Sequence, residues 1–450
     1  MSALGIFCLL SLLLIIGKGL RSFIPILRFL YLPSSVIGGL VGLCIISIFP
    51  NLIPSDWLSA IRTLPGFLIN IVFAALFLGE ITPKFKKIIN IAFPQFCFGQ
   101  MTAWGQYVVG LAITGLLLIP LFSVSEGFGN LLEIGFEGGH GTVGGMSSAF
   151  TQFHWSDGIA LGYTLATIGM ILGIVIGIVL INWASKNGHL SYIRKTETGN
   201  SQESLGVYTP KNSPNAGKQT VFSDSIDSLA WHIALIGLAI CLGWGLLEGL
   251  IALETAITHK TPGECFFRSF PLFPLCMIGG IILQKISEKI KLEHLIDHGQ
   301  MKRLSGASLD FLVVSAVMTI RLDVVSANWL PLLILIIVGS LWSIFMVVWV
   351  GPRLFKEAWF ERSIAEFGQS MGVTATGLLL LRTVDPEAKT VAPEAFGYKQ
   401  LLHEPIMGGG LWTALAFTLV FTYGLWTVWI ICLGIFLLWC LIAWKLSRKK

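Results

Sequence analysis

Apolar runs long enough to cross a bilayer recur along the whole chain, separated mostly by short polar stretches. Their pattern predicts eleven spanning segments, at roughly 3–17, 33–49, 66–80, 101–121, 158–183, 229–250, 271–284, 306–322, 329–350, 401–421 and 424–444. The run Leu4 to Ile16 lacks a basic stretch before it and a small-residue cleavage site after it, so it reads as the first span rather than a cleavable signal. Two polar interruptions stand out. One is Gly138-Gly139-His140-Gly141-Thr142-Val143-Gly144-Gly145, and the other is Gly368-Gln369-Ser370-Met371-Gly372-Val373-Thr374-Ala375-Thr376-Gly377. Hydrocarbon cannot satisfy backbone polar groups, so irregular backbone survives there only where it lines a cavity or is buried in protein. Interrupted segments in corresponding positions of two halves mark the binding site of a transporter. Both tracts are therefore expected to form re-entrant hairpins, near 130–155 and 361–382.

The expected fold is all-α and polytopic: two inverted repeats of about five spans, each with one hairpin, plus an extra carboxyl-terminal span. The repeats fall at 1–184 and 228–423, and the extra span with its basic tail at 424–450. A hydrophilic stretch at 185–227, rich in Ser, Asn, Thr, Gly and Pro, reads as a flexible linker. Composition agrees: 54% of residues are hydrophobic and 12% charged, against about a quarter charged in soluble domains. The net charge of +5 needs no nucleic-acid partner, because basic residues accumulate in the cytoplasmic loops of membrane proteins.

Those basic residues also set an orientation. With the amino terminus outside, the predicted inside loops hold 26 of the 30 lysines and arginines, leaving Arg62, Lys260, Arg268 and Arg321. Arg362 and Lys399 are counted in one of these loops. The carboxyl terminus is then cytoplasmic, and the hairpins enter from opposite sides, as an inverted repeat requires. Matching elements recur at near-constant offsets. Pro33 through Gly39 aligns with Pro274 through Gly280 at 241 residues, Gly66 with Gly306 at 240, and Gly138 with Gly368 at 230.

The chemistry gathers at the two tracts. In the first, Gly138, Gly139 and Gly141 let the backbone turn and approach a ligand closely. Exposed N–H groups suit a carboxylate, and exposed carbonyls suit Na⁺. Thr142 adds a hydroxyl, Glu137 flanks the tract, and His140 either contacts substrate, carries a proton or orients the hairpin. In the second, Ser370, Gly372, Thr374 and Thr376 are the candidates, with Glu366 just before them. Arg382 reads as an interfacial anchor. Asp310 lies within a predicted span and is a candidate cation ligand by its depth. Cysteine spacing fits neither a disulfide framework nor a metal site. No nucleotide loop, catalytic triad or metal cluster is visible, which argues against an enzyme or primary pump. A gradient-driven transporter remains, with a passive channel or membrane receptor as the rival of another class.

The chain resembles the bacterial sodium/glutamate symporter family. Gly138-Gly139-His140-Gly141-Thr142 is similar to that family's first-hairpin motif, Pro33 through Gly39 to its second span, and Ala166 through Gly173 to the stretch after the first hairpin. Ser370 through Gly377 corresponds to its second signature, with Ser370 in place of a glycine and Ala375 in place of a proline. Pro405-Ile406-Met407-Gly408 is similar to the proline-rich opening of the following span. The resemblance implies a homodimer in lipid and Na⁺-driven uptake of L-glutamate or a similar dicarboxylate. It also implies hairpin tips meeting at a substrate and Na⁺ site, and elevator-like movement across the cytoplasmic membrane. Another dicarboxylate or 2-hydroxycarboxylate, or H⁺ coupling through His140 or Glu366, is the alternative within the same fold.

Overall fold

The computed structural model describes residues 2–29, 32–50, 52–80, 85–191, 215–259, 261, 265–385 and 388–448. Most of the predicted 185–227 linker, residues 192–214, lies outside them. Among the described residues every regular element is helical. Eight helices among the described residues are long and apolar enough to cross a membrane, so the chain is a multi-pass membrane protein. Two shorter apolar helices, Ser34–Ile48 and Leu411–Tyr423, accompany them.

The chain divides into two compact units. The first, 1–82, 144–154 and 199–320, packs Ser2–Phe23 and Ser34–Ile48 against His298–Met318 through Leu10, Leu13, Val314 and Met318. Close approach requires glycine here: a Cβ on Gly38 would stand 2.4 Å from the Leu13 carbonyl oxygen.

The second unit, 83–143, 155–198 and 321–450, carries the polar chemistry. Phe85–Ile113 packs Tyr107 and Leu111 against Val428 and Cys432 of Leu425–Arg448. Two helices of this unit, ending at Phe122 and Leu354, pass through a π-turn, Thr114–Leu118 and Met346–Val350, before a proline, Pro120 and Pro352. A proline cannot donate to the helix ladder, and a π-turn is one way to absorb the missing bond.

Asp157–Lys186 presents Gly169, Gly173 and Gly177 to the second tract. A Cβ on Gly169 would stand 2.5 Å from the Met371 carbonyl oxygen, and one on Gly177 2.5 Å from Leu380 Cδ1. The four-residue glycine spacing thus makes a groove that seats a particular helix. Gly169→Leu should prevent this seating. The expected result is loss of monodisperse protein after membrane extraction, while Gly237→Leu, whose Cβ meets nothing within 4 Å, extracts normally.

Several element boundaries differ from the sequence-based expectation. Helix Ser55–Ala75 begins well before the predicted 66, and Phe85–Ile113 well before the predicted 101. Pro65 and Pro94 sit inside these helices, and Gln95 and Gln100 lower the hydropathy of the second, which hid its first half. The expected span 401–421 is broken. Helix Ala392–His403 ends, and Leu411–Tyr423 begins after Met407-Gly408-Gly409-Gly410, where Gly408 and Gly409 have φ of 65° and 105°.

Candidate functional site

Both glycine tracts interrupt helices. Leu131–Phe136 ends before Gly138, and the chain restarts as Gly139–Gly145 with Gly139 at φ 68°. In Trp359–Val384 the helical conformation fails at Gly372 and Val373. The two arms fold back on each other, since a Cβ on Gly368 would stand 2.6 Å from the Gly377 Cα. Val373 has φ 61° and ψ 171°. A β-branched residue there is a strained outlier, at a cost of about 1–3 kcal/mol. The two tips touch: a Cβ on Gly139 would overlap Val373 Cγ1 at 2.4 Å.

Beneath the tips, helix Phe85–Ile113 turns Gln95, Gln100, Gln106 and Tyr107 toward the tracts. Helix Ala392–His403 contributes Lys399 and His403, four residues apart and therefore on one face. Lys399, Glu366, Gln369, Glu137, Glu133 and His403 are all buried. Donor and acceptor capacities constrain three of these groups. Glu133 accepts from Tyr107 Oη at 2.6 Å, Gly408 N at 2.8 Å and Thr413 Oγ1 at 2.8 Å, which suits an ionised carboxylate. Glu366 accepts from Lys399 Nζ at 2.6 Å and Gln95 Nε2 at 3.1 Å. The third concerns His403. The indole of Trp104 only donates, so Gln100 Oε1 accepts from it at 2.9 Å. Gln100 Nε2 then donates to His403 Nδ1 at 3.0 Å, leaving Nε2–H to donate to Glu137 Oε1. His403 is therefore a neutral imidazole that orients a carboxylate.

A second thread runs toward the tip. Gln369 Oε1 accepts from Lys399 Nζ at 3.1 Å and Gln400 Nε2 at 2.6 Å. Gln400 Nε2 also reaches Thr374 Oγ1 at 3.2 Å, and Thr374 donates to Glu404 Oε1 at 3.0 Å. In the first tract, Thr142 Oγ1 lies 2.9 Å from the Gly138 carbonyl oxygen and 3.4 Å from that of Gly408.

Hydrogen bonds link Glu137, Glu366 and Thr374 through Gln369, Lys399 and Gln400. Thr142 bridges Gly138 and Gly408, Gly139 lies at the tip contact, and Gly372 sits at the break against Thr376 and Met170. Gly141 lies within helix Gly139–Gly145. Other candidates have local partners. His140 Nε2 pairs with Thr167 Oγ1 at 2.9 Å, and its ring stacks on Tyr163. The Ser370 hydroxyl donates to the Phe367 carbonyl at 3.1 Å, and Thr376 packs under the break at Gly372. Asp310 belongs to the first unit, on helix His298–Met318.

Sequence spacing missed two features. Arg362 and Lys399, counted as loop cations, are buried: Arg362 Nε donates to Gln95 Oε1 at 3.1 Å, and Lys399 pairs with Glu366. They carry no orientation information. The sequence also shows no metal cluster, yet Glu137, Glu366 and His403 bring one ligand atom each within 4.8 Å of one another. They stand 229 and 37 positions apart, so only the fold assembles them. The available signal was weak: glutamines along an apolar helix, and Lys399 with His403 at helical spacing.

A family model described as "Sodium/glutamate symporter" matches residues 1–384. The sodium/glutamate symporters of Escherichia coli (strain K12) and Shigella flexneri are each 22% identical to the chain over 283 residues. That match covers 62% of this chain and 63% of the length of each relative.

Proposed function

The chain belongs to the sodium/glutamate symporter family, and on that premise we propose that it is a secondary active transporter driving uptake of L-glutamate with Na⁺. The observation that carries this reading is the meeting of two broken-helix tips, Gly139 against Val373, above a buried polar network. The helical arm that restarts at Thr374 opens toward this contact, and its first N–H groups suit a substrate carboxylate. Na⁺ as cargo suits the carbonyl oxygens of Gly138 and Gly408, which both lie near the Thr142 hydroxyl.

An inverted-repeat architecture is part of the proposal. Its support is the recurrence of π-turn and proline, at Pro120 and Pro352, ahead of tips at Gly139 and Val373. These pairs are offset by 232 and 234 residues, close to the 230 of the two tracts. Re-entrant hairpins, homodimer assembly, an external amino terminus and elevator movement in the cytoplasmic membrane complete the reading.

Radiolabelled glutamate uptake into proteoliposomes, with and without a Na⁺ gradient, tests it. Accumulation that requires the Na⁺ gradient is expected. Uptake that ignores Na⁺ and follows a pH gradient would replace Na⁺ by H⁺, and equilibration without accumulation would indicate a channel. Thr142→Val and Thr374→Val each remove one hydroxyl contact at the tips. Each should lower uptake about threefold to tenfold, the value of one hydrogen bond, with membrane expression unchanged. Unaltered kinetics in both would take these hydroxyls out of the site.

A further inference from the structure

Lys399 is fully buried, and its ammonium is held by Glu366 Oε1 at 2.6 Å and Gln369 Oε1 at 3.1 Å. Beside it, one carboxylate oxygen of Glu137 and one of Glu366 lie within 4.8 Å of each other, while His403 Nε2–H is committed as a donor to Glu137. A hard cation holds oxygens at about 2.4 Å, so opposed ligands stand about 4.8 Å apart. The two carboxylate oxygens are therefore close enough to face one cation. Room for the ammonium is built into the facing helix: a Cβ on Gly99 would stand 2.6 Å from Glu366 Oε1 and 2.9 Å from Lys399 Nζ.

We propose that the Lys399 ammonium is a tethered cation, filling a monovalent-cation site formed by Glu366, Gln369 and Glu137 in place of an inorganic ion. The positive charge is then a permanent part of the network and needs no ion from solution. A simple bridge between two helices needs only Glu366. Here the amide oxygen of Gln369 also turns to the ammonium, and its Nε2 is directed to Glu137 Oε1 at 3.5 Å. A single Lys-to-neutral change would accordingly leave an oxygen-lined, negatively charged hole, which a free cation of matching size can enter. This holds whatever anion the protein carries.

The test is the thermal stability of purified Lys399→Met and wild type, titrated with NaCl against choline chloride at constant ionic strength. In choline, Lys399→Met should melt several degrees below wild type. Na⁺ should restore it along a saturable curve, with an increment larger than any Na⁺ gives the wild type. Glu366→Gln in the Lys399→Met background removes the uncompensated charge, so it should melt above Lys399→Met in choline and lose the added Na⁺ response. Equal Na⁺ responses in wild type and Lys399→Met would overturn the proposal. So would persistence of the added response in the double variant, or failure of both variants to fold at any Na⁺ concentration. Because the readout is binding and not transport, an absence of glutamate uptake would leave this result intact.

Discussion

Gly139→Ala should nearly abolish uptake while leaving the protein folded. Two penalties add at this position. Gly139 has φ 68°, where an L-residue carries about 1–2 kcal/mol of strain. The new Cβ would also overlap Val373 Cγ1 at 2.4 Å, and relieving such an overlap by displacement typically costs about 1–3 kcal/mol. If both fall on the working arrangement of the tips, initial uptake should fall about 30-fold or more, since 1.4 kcal/mol is a factor of ten. A second substitution separates the penalties. Val373→Ala removes the overlapping methyl, so Gly139→Ala/Val373→Ala should regain part of the loss and keep only the backbone component. Val373→Gly alone relaxes the strained tip and should raise the melting temperature of purified protein. Wild-type kinetics in Gly139→Ala would mean that the tips do not meet during transport.

The second large effect is expected at Glu133. The carboxylate of this fully buried residue satisfies three donors, Tyr107 Oη, Gly408 N and Thr413 Oγ1. Glu133→Leu strands all three. Each stranded donor is worth about 1–3 kcal/mol, so on the order of 3 kcal/mol or more is lost. Glu133→Gln keeps one acceptor oxygen and should be milder. Tyr107→Phe removes a single bond and should be milder still. Melting temperatures of the purified variants are therefore expected to fall in the order Tyr107→Phe, Glu133→Gln, Glu133→Leu, with the last lowest. Equal melting temperatures for Glu133→Leu and Tyr107→Phe would show that Gly408 and Thr413 find other partners, and the network would not pin the Gly408–Gly410 segment.

Much of the architecture was legible in the residues. Hydrophobic length identified a multi-pass membrane protein, because the bilayer imposes a minimum apolar run. Glycine tracts in a greasy chain pointed to broken helices, because glycine alone enters φ 68° without strain. The groove at Gly169, Gly173 and Gly177 was visible as a four-residue spacing, although its occupant was not. Strain at Val373 was invisible, since nothing in a valine's neighbours announces a positive φ. Lys399 was misleading: beside loop residues it reads as an interfacial charge, and only the approach of Glu366 and Gln369 turns it into a buried one.

The sequence by itself determined membrane insertion, helical class, the two interruptions and the family, all properties that reside in local composition and motif. What only the tertiary structure decided is which polar groups share a site. Glu137, Glu366, Lys399 and His403 come from three segments separated in the chain. A buried charge is stable only beside its partners, and partnership is set by packing, which no local pattern records.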